Sequence, residues 1–114
     1  MIGVDIVAIS RIEGFIVKFG DKALDRFLDK GEQILCKKIE SIAGFWAAKE
    51  AIAKALGTGI GEELGFDDIS IYKDEKGAPK FRLKESLIGK YNIKETSLSI
   101  SHDGGFAIAV AVIS

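Results

Sequence analysis

The sequence predicts an α+β fold: a single small domain in which a mainly antiparallel sheet packs against one long helix. Three observations lead to this class. Apolar, strand-like segments lie at both ends of the chain, a segment with helical periodicity lies in the middle, and two short strand patterns follow it. With 114 residues, the chain can bury one modest core and is too short for a second, so we expect residues 1–114 to form one domain.

The first third of the chain predicts one strand followed by helical segments. Residues 2–8 match a strand, and Ser10 with Glu13 matches a capping box, which predicts that a helix begins here. The apolar stripe of this helix consists of Ile12, Phe15, Ile16 and Phe19. Gly20 is expected to end the helix. Further helical segments are expected at residues 21–27 and 31–39.

The remainder of the chain is predicted to form a long helix, a hairpin, a short helix and two final strands. The apolar positions of the long helix have helical spacing and are Phe45, Ala48, Ile52, Ala55 and Leu56. The hairpin is expected from residues 67–73 and 80–83, joined by a turn that contains the only proline. The last elements are expected to be a helix at residues 85–91 and strands at residues 97–101 and 106–113.

The last predicted strand is apolar on both faces. Phe106, Ile108, Val110 and Val112 point one way, and Ala107, Ala109, Ala111 and Ile113 point the other way. An antiparallel strand with one solvated face would alternate with polar residues. We therefore expect both faces to be covered, one by the core and the other by a closely packed helix or by a second subunit.

Composition and charge exclude several classes of function. The net charge of −1 argues against a general nucleic-acid binder, which needs a basic surface. The single cysteine, Cys36, rules out an internal disulfide and a cysteine metal cluster, and we expect it to be a small buried residue. The N-terminal apolar run is short and is interrupted by Asp5, so we expect no membrane span, no signal peptide and a cytoplasmic location.

Asp5, Glu50 and Lys54 are the first candidates for chemistry. Asp5 interrupts an apolar strand, where an unpaired carboxylate is costly to bury, so a cation, a metal or a cap should accompany it. Glu50 and Lys54 lie four residues apart and project from the same strip of the long helix. Structural alternatives exist for both: Asp5 could cap a turn or pair with Arg11, and Glu50 with Lys54 could be an ordinary exposed helix pair.

A glycine-rich segment, Gly57-Thr58-Gly59-Ile60-Gly61, follows the long helix. Gly57 is expected to be the C-cap of that helix, while the later glycines permit close approach by a nucleotide. The segment is not a Walker A loop, because the lysine and the following Ser or Thr are missing. His102, the only histidine, lies between Ser101 and Asp103, but consecutive strand residues point to alternate sides and do not form a catalytic triad. The alternative for His102 is a structural role at the end of a strand.

Four motifs, in this order, resemble a known family. They are Gly3-Val4-Asp5-Ile6 followed by Arg11, Ala47-Ala48-Lys49-Glu50-Ala51 with Lys54, the glycine-rich segment, and Ser99-Ile100-Ser101-His102. Together they cover essentially the whole chain and resemble the holo-[acyl-carrier-protein] synthases, the short single-domain branch of the 4′-phosphopantetheinyl transferases. One position departs from the pattern: Phe45 and Trp46 stand where the family often has a basic residue followed by Phe. A phosphate contact from that position is therefore unsupported.

The resemblance implies transfer of the 4′-phosphopantetheine arm of coenzyme A to a serine of acyl carrier protein. Adenosine 3′,5′-bisphosphate is released, and the reaction supports fatty acid biosynthesis. The implied catalytic residues are Asp5, Glu50 and Lys54, with Mg²⁺ bound by Asp5 and Glu50. The serine proton would pass to Glu50 or to a metal-bound water. The implied coenzyme A contacts are Lys54, Gly59, Ile60 and His102. Lys49 is a weaker candidate that could simply be solvated, and the resemblance also implies a homotrimer with active sites at the subunit clefts.

Basic residues in the first third of the chain suggest a docking surface. Their spacing would align them on one side of a helix if the first helix continued past Gly20, and they are Arg11, Lys18, Lys22 and Arg26. Acyl carrier proteins are acidic around the modified serine in this family, so we expect the surface to bind the carrier. The alternative is a solvated helix face in which these residues alternate with Glu13, Asp21 and Asp25.

Two other classes of function remain open from the residues alone. A non-catalytic module that binds coenzyme A or a nucleotide would explain the glycine-rich segment and the lysines, but it leaves the paired carboxylates as a needless electrostatic cost. A structural oligomerisation domain would explain the apolar last strand and nothing about the charges.

Overall fold

Five strands and four α-helices make up the computed structural model, which describes all 114 residues. The strands are β1 (Ile2–Ala8), β2 (Ile69–Lys73), β3 (Pro79–Leu83), β4 (Thr96–Asp103) and β5 (Phe106–Ile113). The helices are α1 (Ile9–Phe19), α2 (Lys30–Leu35), α3 (Ile39–Leu56) and α4 (Glu85–Tyr91). Short 3₁₀ turns occur at Gly20–Lys22, Leu24–Arg26 and Phe66–Asp68. The predicted α+β class is confirmed.

The main sheet has three antiparallel strands in the order β1-β5-β4, so the two ends of the chain lie side by side. In this sheet Asp5 pairs with Ala109, and Ala109 pairs with Ile100 on its other side. The second sheet is the predicted hairpin of β2 and β3. None of the four α-helices combines the length and the hydropathy that a membrane-spanning helix requires.

Helix α3 covers one face of the main sheet at very short range. The β5 residues under it are Ala107, Ala109 and Ala111, all almost completely buried. A Cβ at Gly3 would overlap the carbonyl oxygen of Ala51 and lie 2.6 Å from the amide nitrogen of Ala55. A Cβ at Gly44, nearer the start of α3, would lie 2.8 Å from a methyl group of Ile100. The helix therefore crosses the sheet from β4 to β1, and small residues permit its close contact.

The opposite face of the main sheet is apolar and exposed within one chain. Its large side chains include Ile2, Val4 and Ile6 of β1 and Phe106, Ile108 and Val112 of β5. Ile2 is 70% exposed and Ile6 is 61% exposed, which is unusual for aliphatic side chains clustered on one surface. Thus α3 covers the alanine face of β5, and one chain supplies no cover for the other face.

Two sequence predictions about helix ends are wrong. The capping box of Ser10 and Glu13 does not form: α1 begins one residue after Ala8, without a side-chain cap, and Ser10 already lies inside its first turn. The chain enters α1 directly from β1, so no loop positions Ser10 as an N-cap. A capping box forms instead at α2, where Asp29 and Glu32 each accept a hydrogen bond from the other's backbone amide.

The predicted helix at residues 31–39 is also wrong in extent. The chain is extended at Cys36, where α2 has ended, and α3 begins at Ile39, six residues before Phe45, the first apolar position assigned to the long helix. Ile42 and Ala43 extend the apolar stripe toward the N-terminus, but the neighbouring polar residues obscured this continuation. Cys36 is buried as expected, and burial, followed by the charge of Glu32, raises the pKa of its thiol to about 12.

The close contact at Gly3 generates a stability prediction. Gly3→Ala is expected to lower the free energy of unfolding by about 1–3 kcal/mol, because the added methyl group would overlap the backbone of α3. Chemical denaturation followed by circular dichroism measures the change. Gly14→Ala is the matched control: Gly14 lies in α1 with open space around it, so an alanine there should stabilise the protein by up to about 1 kcal/mol. Equal stability of Gly3→Ala and wild type would contradict this description of the contact.

Candidate functional site

Asp5 and Lys54 form an ion pair between β1 and α3. The ammonium group of Lys54 donates to Asp5 Oδ1 at 2.9 Å and to the carbonyl oxygen of Val4 at 3.2 Å. The Asp5 side chain is 15% exposed and the Lys54 side chain is 51% exposed, so the pair lies at the mouth of a crevice. The structural alternatives considered for these residues are therefore wrong. Asp5 pairs with Lys54 and not with Arg11, and Lys54 pairs across to β1 and not with Glu50.

Glu50 lies beside this pair and is half-buried. Its carboxylate accepts no hydrogen bond from the protein. Burial raises the pKa of Glu50, and the nearby Asp5 charge raises it further, while Lys54 and Arg11 act in the opposite direction. Asp5, Glu50, Lys54 and Arg11 are thus close enough to influence one another, as the sequence predicted for the first three.

The two carboxylates provide a donor set suited to a hard divalent cation. No group of three or more Asp, Glu, His or Cys side chains that could enclose a metal occurs in the chain. Asp5 and Glu50 would supply two oxygen ligands, which fits Mg²⁺, an ion that usually takes one or two carboxylates and completes its shell with water and phosphate.

An aromatic cluster lies next to Glu50, one helical turn toward the N-terminus of α3. The ring of Trp46 lies 5.0 Å from that of Phe27 and 5.1 Å from that of Phe66, centroid to centroid. The guanidinium of Arg11 lies 5.8 Å from the Trp46 ring. Trp46 therefore holds a cation at the edge of the candidate site, near the position where the family pattern often has a basic residue.

Lys49 is not solvated, contrary to the sequence-based alternative. Its side chain is 1% exposed and forms an ion pair at 2.8 Å with Glu32, whose side chain is fully buried. Sequence reasoning did not identify this pair. A signal was present, because Lys49 follows Phe45 by four residues and precedes Ile52 by three, which places it on the buried side of α3.

The predicted basic surface is not one continuous helix. Gly20, with a φ of 62°, ends α1, and Lys22 and Arg26 lie in the following 3₁₀ turns. Arg26 and Lys18 nevertheless converge on one ring, because they lie 3.8 Å and 5.3 Å from the centroid of Phe19. The side chains of Lys18, Lys22 and Arg26 are exposed, and so is that of Arg11.

The glycine-rich segment wraps the C-terminus of α3. Gly57 is the left-handed C-cap, as predicted, with a φ of 80°. Gly59 also has a positive φ, and its amide donates to the carbonyl oxygen of Ala53 at 3.3 Å. Ile60 is half-buried against the core. The segment follows directly from the helical turn that carries Lys54.

His102 lies apart from the carboxylates, in an open cavity of about 1090 Å³. The lining includes Ser10 and Glu13 of α1, residues 38–41 at the start of α3, and residues 102–106. Glu13 and Arg11 are two residues apart and therefore point to opposite sides of α1. Glu13 lines the cavity while Arg11 lies near Trp46 and Glu50, and neither Asp5 nor Glu50 lines the cavity around His102.

Known proteins match this chain over its full length. A sequence profile of the 4′-phosphopantetheinyl transferase superfamily matches residues 1–111. A holo-[acyl-carrier-protein] synthase from a Nitratiruptor species is 61% identical over 113 residues, which are 99% of this chain and 97% of the relative. The crystal structure of Helicobacter pylori holo-[acyl-carrier-protein] synthase in complex with coenzyme A superposes with a TM-score of 0.97 at 54% identity, covering 100% of both chains. The Neisseria meningitidis holo-[acyl-carrier-protein] synthase superposes with a TM-score of 0.91 at 34% identity, covering 99% of this chain and 96% of that one.

The raised pKa of Glu50 generates a prediction about stability and pH. The folded protein keeps the Glu50 proton at pH values where the unfolded chain has lost it, so this carboxyl makes the fold less stable as the pH rises through its folded pKa. Glu50→Gln, which cannot ionise, is therefore expected to melt at a higher temperature than wild type at pH 7 in a chelator. The difference should disappear below about pH 4, where both states hold the proton.

Calorimetric melting across this pH range provides the test. Glu75→Gln, at an exposed position of the hairpin turn, is the control and should show no such difference. A Glu50→Gln variant that melts at or below the wild-type temperature at pH 7 would contradict the assigned environment.

Proposed function

This chain belongs to the 4′-phosphopantetheinyl transferase superfamily, and we propose that it is a holo-[acyl-carrier-protein] synthase. In the proposed reaction, the 4′-phosphopantetheine arm of coenzyme A passes to a serine of apo acyl carrier protein, and adenosine 3′,5′-bisphosphate leaves. The observation that carries the proposal is the junction of Asp5, Glu50 and Lys54 within a fold that matches a coenzyme A complex over its whole length. The reaction would serve fatty acid biosynthesis in the cytoplasm.

The charges of the site suit attack on a diphosphate. The serine oxygen forms a bond to the phosphorus of the phosphopantetheine arm, and the bond from that phosphorus to the oxygen of the adenosine phosphate breaks. Lys54 and Arg11 supply positive charge for the phosphates, since both act electrostatically on Glu50 at the same crevice. Glu50 or a water molecule at the site is proposed to accept the hydroxyl proton.

Asp5 and Glu50 are proposed to hold Mg²⁺. When bound, the ion would neutralise phosphate charge and orient the diphosphate. The hard oxygen donors of two neighbouring carboxylates support this assignment. Lys54 would then exchange its bond to Asp5 for one to phosphate, which its half-exposed side chain permits.

The cavity around His102 is proposed to receive the nucleotide end of coenzyme A. His102, Lys38 and the first turn of the 18-residue helix α3 supply donors and positive potential for a phosphate. Glu13, Glu40 and Asp103 also line the cavity, so the phosphate is expected beside Lys38 and His102. Gly59 and Ile60 are proposed to contact coenzyme A near Lys54, because their segment follows the same helical turn.

We propose a homotrimer in which two chains complete each site. The exposed apolar face of the main sheet provides the interface, since its aliphatic side chains have no cover within one chain. The position of α1 gives a second argument. Its residues Ser10 and Glu13 line the cavity around His102, and Glu50 does not line it, so a ligand that contacts both groups is best accommodated between Glu50 of one chain and His102 of another.

Arg11, Lys18, Lys22 and Arg26 are proposed to dock acyl carrier protein. Lys18 and Arg26 meet on Phe19, which fixes two of the four charges on a partly apolar surface. The acidic residue next to Arg26, Asp25, is engaged by Lys30 and Gln33, and hydrogen bonds from these side chains lower its pKa. The surface is continuous with the reaction site through Arg11, which lies over Trp46 beside Glu50.

A transfer assay tests the proposed function. The wild-type protein, incubated with coenzyme A, Mg²⁺ and an apo acyl carrier protein, is expected to increase the carrier mass by one phosphopantetheine, as measured by mass spectrometry. Asp5→Ala and Glu50→Ala are expected to lose this transfer by at least about 10- to 100-fold while they stay folded, because each removes a metal ligand. Chelation of the metal should have the same effect on wild type.

The outcomes separate the three classes of function. Coenzyme A binding without modification of the carrier would indicate a binding module, and neither binding nor transfer would indicate a structural domain. Full transfer by either carboxylate variant at limiting Mg²⁺ would reject the two-carboxylate site.

The docking surface generates a separate prediction. Arg26→Glu is expected to raise the KM for carrier on the order of tenfold and to weaken its dependence on salt, because complementary charge speeds encounter. The KM for coenzyme A should not change. Arg26 is preferable to Arg11 for this test, since Arg11 also acts on Glu50. Lys76→Glu, in the distant hairpin turn, is the control. An unchanged carrier KM in Arg26→Glu would reject the docking surface.

A further inference from the structure

Lys49 is a buried charged residue whose hydrogen-bond donors all have acceptors inside the protein. Its ammonium group donates to Glu32 Oε1 at 2.8 Å, to the carbonyl oxygen of Phe27 at 2.7 Å and to the carbonyl oxygen of Phe66 at 3.1 Å. An ammonium group has three protons, so each has an acceptor inside the protein. Lys49 therefore has no donor left for a substrate phosphate, although it precedes Glu50 in the sequence.

Glu32 is equally occupied. Its Oε1 also accepts from the amide of Asp29 at 2.7 Å, and its Oε2 accepts from the amide of Ile71 at 2.8 Å. The ion pair thus connects α2, α3 and β2 through buried, charge-assisted bonds. Buried ion pairs are often no more stabilising than apolar residues of similar size. A contribution to stability is therefore a weak explanation for the presence of the Lys49–Glu32 ion pair.

The two carbonyl groups held by Lys49 belong to segments with proposed roles. Phe27 directly follows Arg26, which lies in the docking surface. Phe66 lies beyond the glycine-rich segment, which is proposed to contact coenzyme A. The rings of these two residues flank Trp46, the only tryptophan, at 5.0 Å and 5.1 Å. Trp46 in turn holds Arg11 beside Glu50.

We propose that Lys49 is a positioning residue for the transfer reaction, an inference that rests on the proposed function. Its buried ammonium fixes the Phe27 and Phe66 segments against Trp46, and so fixes the docking surface relative to Glu50. The residue acts through these neighbours and touches no substrate. Lys49 and Glu50 are consecutive in α3 but have different roles. Lys49 positions the surrounding segments, and Glu50 faces the reacting groups.

Lys49→Met tests this proposal, because it keeps the length of the side chain and removes all three donors. We expect the folded variant to lose kcat/KM for carrier by about 10- to 100-fold, the range seen when groups that orient active-site residues are removed. Trp46 emission should shift to longer wavelength as its packing against Phe27 and Phe66 loosens. Lys49→Arg, which keeps the charge next to Glu32 but displaces the donors, should give a smaller change in both measurements.

Lys76→Met provides the control, since it replaces an exposed lysine in the turn between β2 and β3 that has no proposed role, and it should leave both measurements unchanged. A folded Lys49→Met variant with wild-type emission, kcat and KM would overturn the proposal. A lower melting temperature with unchanged kinetics per folded molecule would overturn it too, because Lys49 would then be purely structural. If Lys49→Met does not fold, the Trp46 emission and the carrier kinetics of Lys49→Arg test the proposal instead, and wild-type values of both would overturn it. A wild-type protein without transfer activity would reject the proposed function, and the emission of the variants would still show whether Lys49 holds the aromatic cluster.

Discussion

The contact between α3 and β1 at Gly3 is the constraint on which the candidate site depends. Asp5 lies two residues after Gly3 on the same face of β1, while Glu50 and Lys54 flank the contacting residue Ala51 on α3. A larger residue at position 3 would lift the helix from the strand. The Asp5–Lys54 ion pair, at 2.9 Å, and the repulsion between Asp5 and Glu50 both require the present separation. A packing feature of the sheet thus determines the electrostatics of the site.

The charges near this contact fall into two groups with different physical roles. Lys49 and Glu32 are buried and have every polar atom satisfied, so their charges connect segments of the fold. Glu50 receives no hydrogen bond and has a raised pKa, and Lys54 is half-exposed, so these groups remain able to exchange partners. Since adjacent residues on a helix point about 100° apart, α3 can present one kind of charge to the interior and the other to the crevice.

Much of the fold was predictable because local patterns agree with it. The alternation of β5, the periodicity of α1 and the glycines at positions 20 and 57 depend on neighbours along the chain. Asp5, Glu50 and Lys54 were identified from the cost of a carboxylate within a strand, from helical spacing and from a family resemblance. The partner of Lys54 was not predictable, because it comes from a strand 49 residues away. The Lys49–Glu32 pair was not predicted either, because its two residues lie on different helices. The capping box was wrongly assigned because Ser10 follows β1 without an intervening loop.

The proposal on which the shared site depends is that Glu50 of one chain acts with His102 of another, because the cavity that His102 lines within one chain does not include Glu50. Mixed oligomers test it directly. Glu50→Ala and His102→Ala chains carrying different affinity tags would be co-expressed, and oligomers containing both would be purified and assayed for transfer at low coenzyme A concentration. We expect the mixed oligomers to be clearly more active than either variant alone, because some sites regain both residues. Activity no higher than the average of the two variants, or a protein that remains monomeric, would contradict it.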